Sequence, residues 1–507
     1  MTLRAMSHHP FPKRQRFILP VLAIGLYFYL NLFSEALTDD AFITLQYVKT
    51  LLETGTWGFV PGYVTNAVTS PLNVFLLAFV GIFLGPTINS VIWLSAILLA
   101  LASLLLVRIS LHLFKTGSLG YLAAGALIFN PLLVSTLGLE SILFVGLYIL
   151  CAYLYLIRRW SLLAVALGLL TVTRFDGILF FSIALWLVPT FRKKAKFAAI
   201  FMLSIAPWYV FSWIYLGSFF PDTLFIKTAQ RSWGNWDFLN GIDLYSRVYA
   251  LESMLSLLLL PLLLLLINRE VRSSPLIGFL LLTSIVHFIG YSILHVPPYY
   301  WYYVPEITAI ILIGSFGLGI LFRQYSSKVE GKKAIQSVAV VLLLLQAFGM
   351  FQILTRDGFR INEMPIHTNW ATHEQYREIG EWLKEHNDRD VILVDGEMGT
   401  LGYYCDCHLL SFFSDRGWLR EYVRSRTTGA GLGPALYRIN FLFLDKEAKS
   451  PQPHYLLSEI PNGRDTSIAA IREWKTKTKW IALCLMKLSI YSRCGIHLIC
   501  LLPTVGI

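Results

Sequence analysis

Charge is what this chain most lacks. Asp, Glu, Lys and Arg make up 14% of its 507 residues, where a soluble protein carries about 25%. Hydrophobic residues reach 56% and mean hydropathy is +0.60, so a soluble enzyme is excluded. Cysteine is also sparse: Cys151, Cys405, Cys407, Cys484, Cys494 and Cys500. None has His or Cys partners at zinc-ligand spacing. Cys151 sits in an apolar run and reads as an inert core thiol. Cys405 and Cys407 are too close for an ordinary bridge to each other, so either would pair with a tail cysteine in an extracytoplasmic setting.

Other absences narrow the function. No repeat, heptad run, low-complexity tract or transporter-like inverted repeat is visible. The glycines of Asp395–Tyr404 fall short of a dinucleotide fingerprint and lack its distant acid, so no nucleotide cofactor is expected. No small-residue cleavage site follows the first apolar run. Arg4, Lys13, Arg14 and Arg16 therefore read as the cytoplasmic flank of an uncleaved helix. The net charge of +11 resides mainly in short turns between apolar runs. The positive-inside rule accounts for that pattern, and no nucleic-acid partner is expected.

What the chain does have is apolar runs. They lie near 17–33, 89–107, 118–135, 139–157, 161–173, 177–190, 197–216, 253–268, 276–293, 304–322 and 336–354. A shorter run, 72–84, reads as a non-crossing segment, because only then do the basic turns all fall on one side. The expectation is a polytopic α-helical membrane protein with about 11 to 12 transmembrane segments and a cytoplasmic amino terminus. Residues 1–354 would form the membrane domain. Residues 355–507 have soluble composition and read as an extracytoplasmic α/β domain: an amphipathic helix over 373–383, a strand over 390–394, a glycine turn, a short helix and a strand near 409–413. Further strands are expected at 480–488 and 495–502.

The outer connections hold most of the chemistry. Asp39-Asp40 follows the first run, and such a pair could bind a metal, take a proton or simply be solvated loop acids. Asn66 and Thr69 precede Pro71, where Ser70 or Thr69 could cap a helix. Arg174 and Asp176 interrupt two apolar runs, as a phosphate contact or as an ion pair and helix cap. Lys227 and Arg231 stand one helical turn apart and could face one phosphate. His295, Tyr299, Tyr300, Trp301, Tyr302 and Glu306 belong to the densest aromatic stretch, read either as an interfacial belt or as a surface that stacks on sugars.

Asp39-Asp40-Ala41-Phe42-Ile43, Thr69-Ser70-Pro71-Leu72, Thr173-Arg174-Phe175-Asp176-Gly177, Tyr302-Tyr303-Val304-Pro305 and Gly399–Tyr404 occur in an order that resembles the GT-C glycosyltransferases using polyprenyl-phosphate sugars, in particular the mycobacterial terminal arabinofuranosyltransferase branch and its bacterial relatives. Those families more often carry Pro at the place of Phe175 and Arg at the place of Gln46. The resemblance implies a GT-C fold in a bacterial inner membrane. It implies transfer of a sugar, with arabinofuranose first and mannose or another hexose as alternative, from polyprenyl monophosphate to an arabinan-like envelope glycan. Asp39 or Asp40 would be catalytic, with the pair able to hold a divalent cation, Mg²⁺ or Mn²⁺. Asn66, Thr69, Arg174, Asp176, Lys227, Arg231, His295, Tyr299, Tyr300, Trp301, Tyr302 and Glu306 would bind substrate, beside membrane lipids, and the carboxy-terminal domain would grip the acceptor. A transporter of lipid-linked sugar is the reading from another class.

Overall fold

The computed structural model describes residues 18–324, 329–356, 358, 361–387, 390–394, 396–460, 470–475 and 480–485. The chain opens with α1 (Ile18–Asn31), α2 (Asp39–Thr54), α3 (Pro71–Leu84), α4 (Ile88–Phe114), α5 (Ser118–Ile128) and α6 (Pro131–Ser135). It continues through α7 (Ser141–Leu156), α8 (Trp160–Thr173), α9 (Gly177–Leu187), α10 (Phe191–Tyr215), α11 (Asp222–Gln230), α12 (Gly241–Val248) and α13 (Ala250–Ser256). A 3₁₀ stretch, Leu260–Ile267, leads to α14 (Arg269–Arg272) and α15 (Pro275–Leu294), and a 3₁₀ turn, Tyr300–Tyr303, opens α16 (Val304–Gln324) before α17 (Val329–Thr355).

This is a polytopic α-helical membrane protein. Among the described residues six helical stretches are long and apolar enough to cross a bilayer: Ile88–Phe114, Phe191–Tyr215, Ala250–Ile267, Pro275–Leu294, Tyr300–Gln324 and Lys333–Thr355. The sequence expectation of about 11 to 12 is not met at that length. The other expected spans form shorter helices, and helix breakers set where some helical segments end. Asn130-Pro131 divides the run 118–135 into α5 and α6, and the Arg174–Asp176 turn parts α8 from α9. Pro261 opens the 3₁₀ half of 253–268. Six other apolar helices, α1, α3, α5, α7, α8 and α9, are shorter. A 14-residue helix such as α3 rises about 21 Å, less than the ~30 Å hydrocarbon core.

Packing sorts the helices. α16 is buried along almost its whole length, through residues such as Ile307, Ile311, Leu312 and Phe316. α17 instead exposes Val340, Leu344 and Phe348, an apolar face suited to lipid. α2 differs from both. It carries Asp39, Gln46 and Lys49, is capped at its end by Gly55 in the left-handed conformation (φ 72°), and buries Phe42, Leu45 and Val48.

The carboxy-terminal region comprises α18 (His373–His386), β1 (Val391–Val394), α19 (Gly399–Cys405), β2 (His408–Leu410), α20 (Gly417–Thr427), α21 (Leu432–Asn440), β3 (Tyr455–Ile460), β4 (Ala470–Lys475) and β5 (Trp480–Leu485). The expected helix, strand, turn, short helix and strand are all present. α18 starts on a capping box formed by Thr372 and Gln375, which satisfies two orphan backbone donors. The five strands run β2-β1-β3-β5-β4. β1 is parallel to β2 and β3, with Ile392 opposite both Leu409 and Tyr455, and β5 lies antiparallel to β3 and β4. The strand expected at 495–502 falls outside the described residues. Cys405 and Cys407 correct the sequence reading: they are bonded to each other, Cα atoms 5.1 Å apart. Asp406 between them takes a left-handed conformation (φ 57°), which turns the two side chains to the same side.

Candidate active site

Asp39 and Asp40 begin α2, but their surroundings differ. Asp39 is 3% exposed. Its Oδ2 accepts the N–H of Met398 (3.1 Å) and of Gly399 (2.8 Å), and Oδ1 accepts the N–H of Thr400 (2.8 Å). These are the orphan donors at the start of α19, so Asp39 caps a helix some 360 residues away. Residue 399 has to be glycine: a Cβ there would overlap the Asp39 carbonyl oxygen. Burial pushes the Asp39 carboxyl up to about 6, against the lowering effect of the Thr400 and Gly399 N–H groups.

Asp40 is half-buried and, among the described residues, receives no hydrogen bond. Its charge acts on Glu140, Glu397, Tyr299, Tyr300 and Tyr302. The first acidic motif, the aromatic stretch and the carboxy-terminal region thus converge. Glu397 accepts the N–H of Trp370 at 3.0 and 3.2 Å. Burial, reinforced by Asp39 and then Asp40, holds its carboxyl well above the usual range.

Lys227, on α11, completes this face. Its Nζ lies 3.7 Å from the centre of the Tyr299 ring and 5.3 Å from that of Phe413, and no carboxylate partners it among the described residues. Such a cation is held by ring quadrupoles and remains open to an anion. The expected pairing with Arg231 does not form: α11 ends at Gln230, and Arg231 turns away at φ 60° into solvent.

The aromatic stretch divides by function in the fold. Tyr300 donates to the Ser135 carbonyl (3.0 Å) and Tyr303 to that of Phe238 (2.6 Å), both buried. Trp301 stacks on Tyr299 at 4.5 Å. Tyr299 and Tyr302 are half-buried, with Tyr299 donating to Gln230 (3.2 Å). His295 is exposed and paired with Asp237 at 3.1 Å.

Behind Tyr302 lies a buried ionic network. Arg174 binds Asp176 (2.8 Å), the Tyr291 hydroxyl (2.9 Å) and the Trp301 carbonyl (3.2 Å), and its guanidinium stands 5.5 Å from the Tyr302 ring. His287 bridges Asp176 (3.1 Å) and Glu306 (2.7 Å). Asp176 therefore makes no cap for α9, and Arg174 has its donors engaged within the protein. His287 and Glu140 escaped the sequence reading. The available signal was their ionisable character inside apolar runs.

Asn66 is likewise committed. Its amide donates to Ser212 (2.9 Å), Ser218 (3.1 Å) and the Phe220 carbonyl (3.2 Å), and its N–H binds Asp222 (3.2 Å). Arg416, from the carboxy-terminal region, inserts into the same knot and pairs with Asp222 at 2.7 Å. Thr69 is exposed, and neither it nor Ser70 caps α3 through its side chain.

The pair Asp39-Asp40 does not fit a shared metal ion, because both Asp39 oxygens are engaged by backbone N–H groups. Among the described residues no three His, Cys, Asp or Glu side chains gather as a metal site.

The membrane helices, the polar α2 and the strand-bearing tail together define the fold class, an ArnT-like fold. Two of the solved structures that share it are of one protein. ArnT from Cupriavidus metallidurans bound to undecaprenyl phosphate superposes with a TM-score of 0.57 at 13% identity, covering 93% of this chain and 98% of that one. The apo state of the same protein gives 0.56 at 13% identity with the same coverage. No protein-family model and no curated protein sequence matches this chain.

Proposed function

We propose that this protein is a membrane glycosyltransferase that moves a sugar from polyprenyl monophosphate to a hydroxyl of an envelope glycan on the extracytoplasmic face. The ArnT-like fold supports the class, since that protein binds undecaprenyl phosphate. The observation that carries the reading is Asp40, half-buried and, among the described residues, without a hydrogen-bond donor, whose charge acts on Tyr299 and Tyr302, with the Lys227 Nζ 3.7 Å from the centre of the Tyr299 ring.

In this reading Asp40 accepts the proton of the acceptor hydroxyl. The freed oxygen forms a bond to the anomeric carbon while the bond from that carbon to the phosphate oxygen breaks. The electron pair leaves with the polyprenyl phosphate, and the Lys227 ammonium balances the charge that develops there. Tyr299 and Tyr302 offer ring faces and hydroxyls to the sugar. Asp39, Arg174, Asp176, Glu306 and Asn66 act as scaffold. No step runs through a metal, since Asp40 alone of the leading pair has oxygens to offer one. The sugar is arabinofuranose, which rests on the motif resemblance; mannose or another hexose is the competing donor. About 11 to 12 membrane segments, counting the shorter helices, complete the topology.

Membranes containing the protein are supplied with labelled polyprenyl-phosphate arabinofuranose or mannose. Transfer from the first, abolished by Asp40→Asn with expression unchanged, supports the reading. Equal transfer by wild type and Asp40→Asn removes Asp40 from the chemistry. Movement of labelled lipid across the bilayer without a new glycosidic bond identifies a transporter.

A further inference from the structure

Among the described residues of the carboxy-terminal region, the large apolar side chains left exposed are Leu432, Leu436, Ile439, Leu442 and Phe443. All belong to α21 or to the turn that ends it. Leu432, Leu436 and Ile439 recur four and then three residues apart, on one stripe of the helix. Leu432 is 77% exposed. The other side of the segment is packed: Phe441 and Leu444 close a small core with Leu419 and Val423 of α20. Phe225 of α11 joins it, its ring 4.9 Å from that of Phe441.

The segment is docked on the end of a membrane helix. α10 is one of the six bilayer-length stretches, and its last turns expose Phe211, Ile214 and Tyr215, an apolar surface suited to lipid. The Trp213 indole N–H donates to the Ile439 carbonyl at 2.8 Å, and its ring meets that of Phe443 edge-on at 5.2 Å. The N–H of Phe219 binds the Asn440 carbonyl at 3.3 Å and that of Phe220 the Asn440 side-chain oxygen at 3.1 Å. A Cβ on Gly217, just past α10, would crowd the Leu444 backbone. The stripe on α21 is thus continuous with the lipid-facing surface of α10. The residue that joins them is a tryptophan, which favours the membrane–water boundary.

We infer that α21 is an interfacial anchor, whose stripe of Leu432, Leu436, Ile439 and Phe443 rests in the lipid leaflet at the carboxy-terminal end of α10. α21 has nine residues and rises about 14 Å, far short of a ~30 Å hydrocarbon core, so it lies along the surface and does not cross. Amphipathic surface helices bury their apolar face about 5–10 Å into the head-group boundary. Arg438 falls off the stripe by helical spacing, its guanidinium bonded to the carbonyls of Thr427 and Gly429 at 3.3 and 3.2 Å. A protein partner on the stripe would have to sit at the level of the lipid that α10 meets. The inference rests on α10 spanning the membrane and is independent of the reaction.

The test uses the full chain in phosphatidylcholine vesicles, with the photoreactive residue p-benzoylphenylalanine replacing Leu436. Light is expected to add the mass of one phospholipid to the peptide that carries the probe. A probe in place of Ile214 should capture lipid likewise, and one in place of Glu381, exposed on α18, should not. Leu432 and Ile439 are exposed, so substitutions there enter no packed core. Leu432→Glu with Ile439→Glu should cut capture at position 436 at least tenfold, while the Ile214 probe in the same double variant keeps its capture and so reports a chain still inserted. Leu432→Met with Ile439→Met should leave capture at 436 intact. A link from the 436 probe to a second chain or to another segment of its own chain overturns the inference. So does capture at position 381 equal to that at 436, or capture that survives the two glutamates.

Discussion

Asp39 and Asp40 are consecutive in sequence and opposite in circumstance. A carboxylate that accepts three backbone N–H groups is fixed in place, whereas one with no donor can change protonation and partner. Replacement separates them. Asp40→Asn should lower turnover by at least 10³-fold, the loss expected for a removed catalytic base together with its charge, with little change in melting temperature. Asp39 should instead show in stability. Its carboxyl, raised to about 6 from 3.8 by burial, holds its proton more tightly folded than unfolded. That contribution is complete below about pH 4 and fades as pH climbs through 6. Relative to Asp39→Asn, wild type should lose up to about 3 kcal/mol between pH 4 and pH 7, read from denaturation midpoints in the two buffers. Lys227→Ala should raise the donor KM about tenfold or more, the worth of a charge-assisted contact to phosphate, leaving acceptor KM unchanged. At this scale the sequence pointed to stretches without distinguishing exposed from engaged members. Tyr300 and Tyr302 look alike in the chain; only the Ser135 carbonyl waiting for one of them makes it structural.

Among the elements, α2 and α19 define one seam and the α11 knot another. Lys49 of α2 and Lys384 of α18 both reach Asp406, in the turn that ends α19. Arg416 and Asp222 are 6% and 3% exposed, and breaking one side of such a buried pair strands the other charge. Arg416→Met should therefore cost about 3–5 kcal/mol, measured by thermal unfolding, with loss of transfer following from loss of docking. Strand-length apolar runs and the amphipathic spacing over 373–383 made the tail's order of elements readable. Helix lengths in the membrane half were less so. Hydropathy registers an apolar run continuously, while Asn130-Pro131, Pro261 and the Arg174–Asp176 turn set where the backbone stops being α-helical. The Lys227–Arg231 pairing failed for the same reason, because helical spacing lapses once the helix ends at Gln230.

For the molecule as a whole, the prediction is sidedness. Thr69→Cys and His295→Cys, both at exposed positions, should react with a membrane-impermeant maleimide in intact cells. Lys194→Cys, in the basic start of α10, should react only after permeabilisation. Thr69 and His295 reacting from opposite sides would overturn their placement on one face of the membrane. Gross architecture, a membrane bundle followed by an α/β tail, was legible because composition shifts near residue 355. How the tail meets the bundle was not, since Asp39–Gly399 and Asp222–Arg416 join residues hundreds of positions apart and leave no local periodicity.

The distance along the chain between Asp39 and its cap has a consequence for biosynthesis. A ribosome completes the leading acids long before it makes the helix that seats them, so the nascent bundle holds Asp39 without its three backbone donors. The Asp39 seat is therefore completed only when the last third of the polypeptide has been made and α19 has folded against α2.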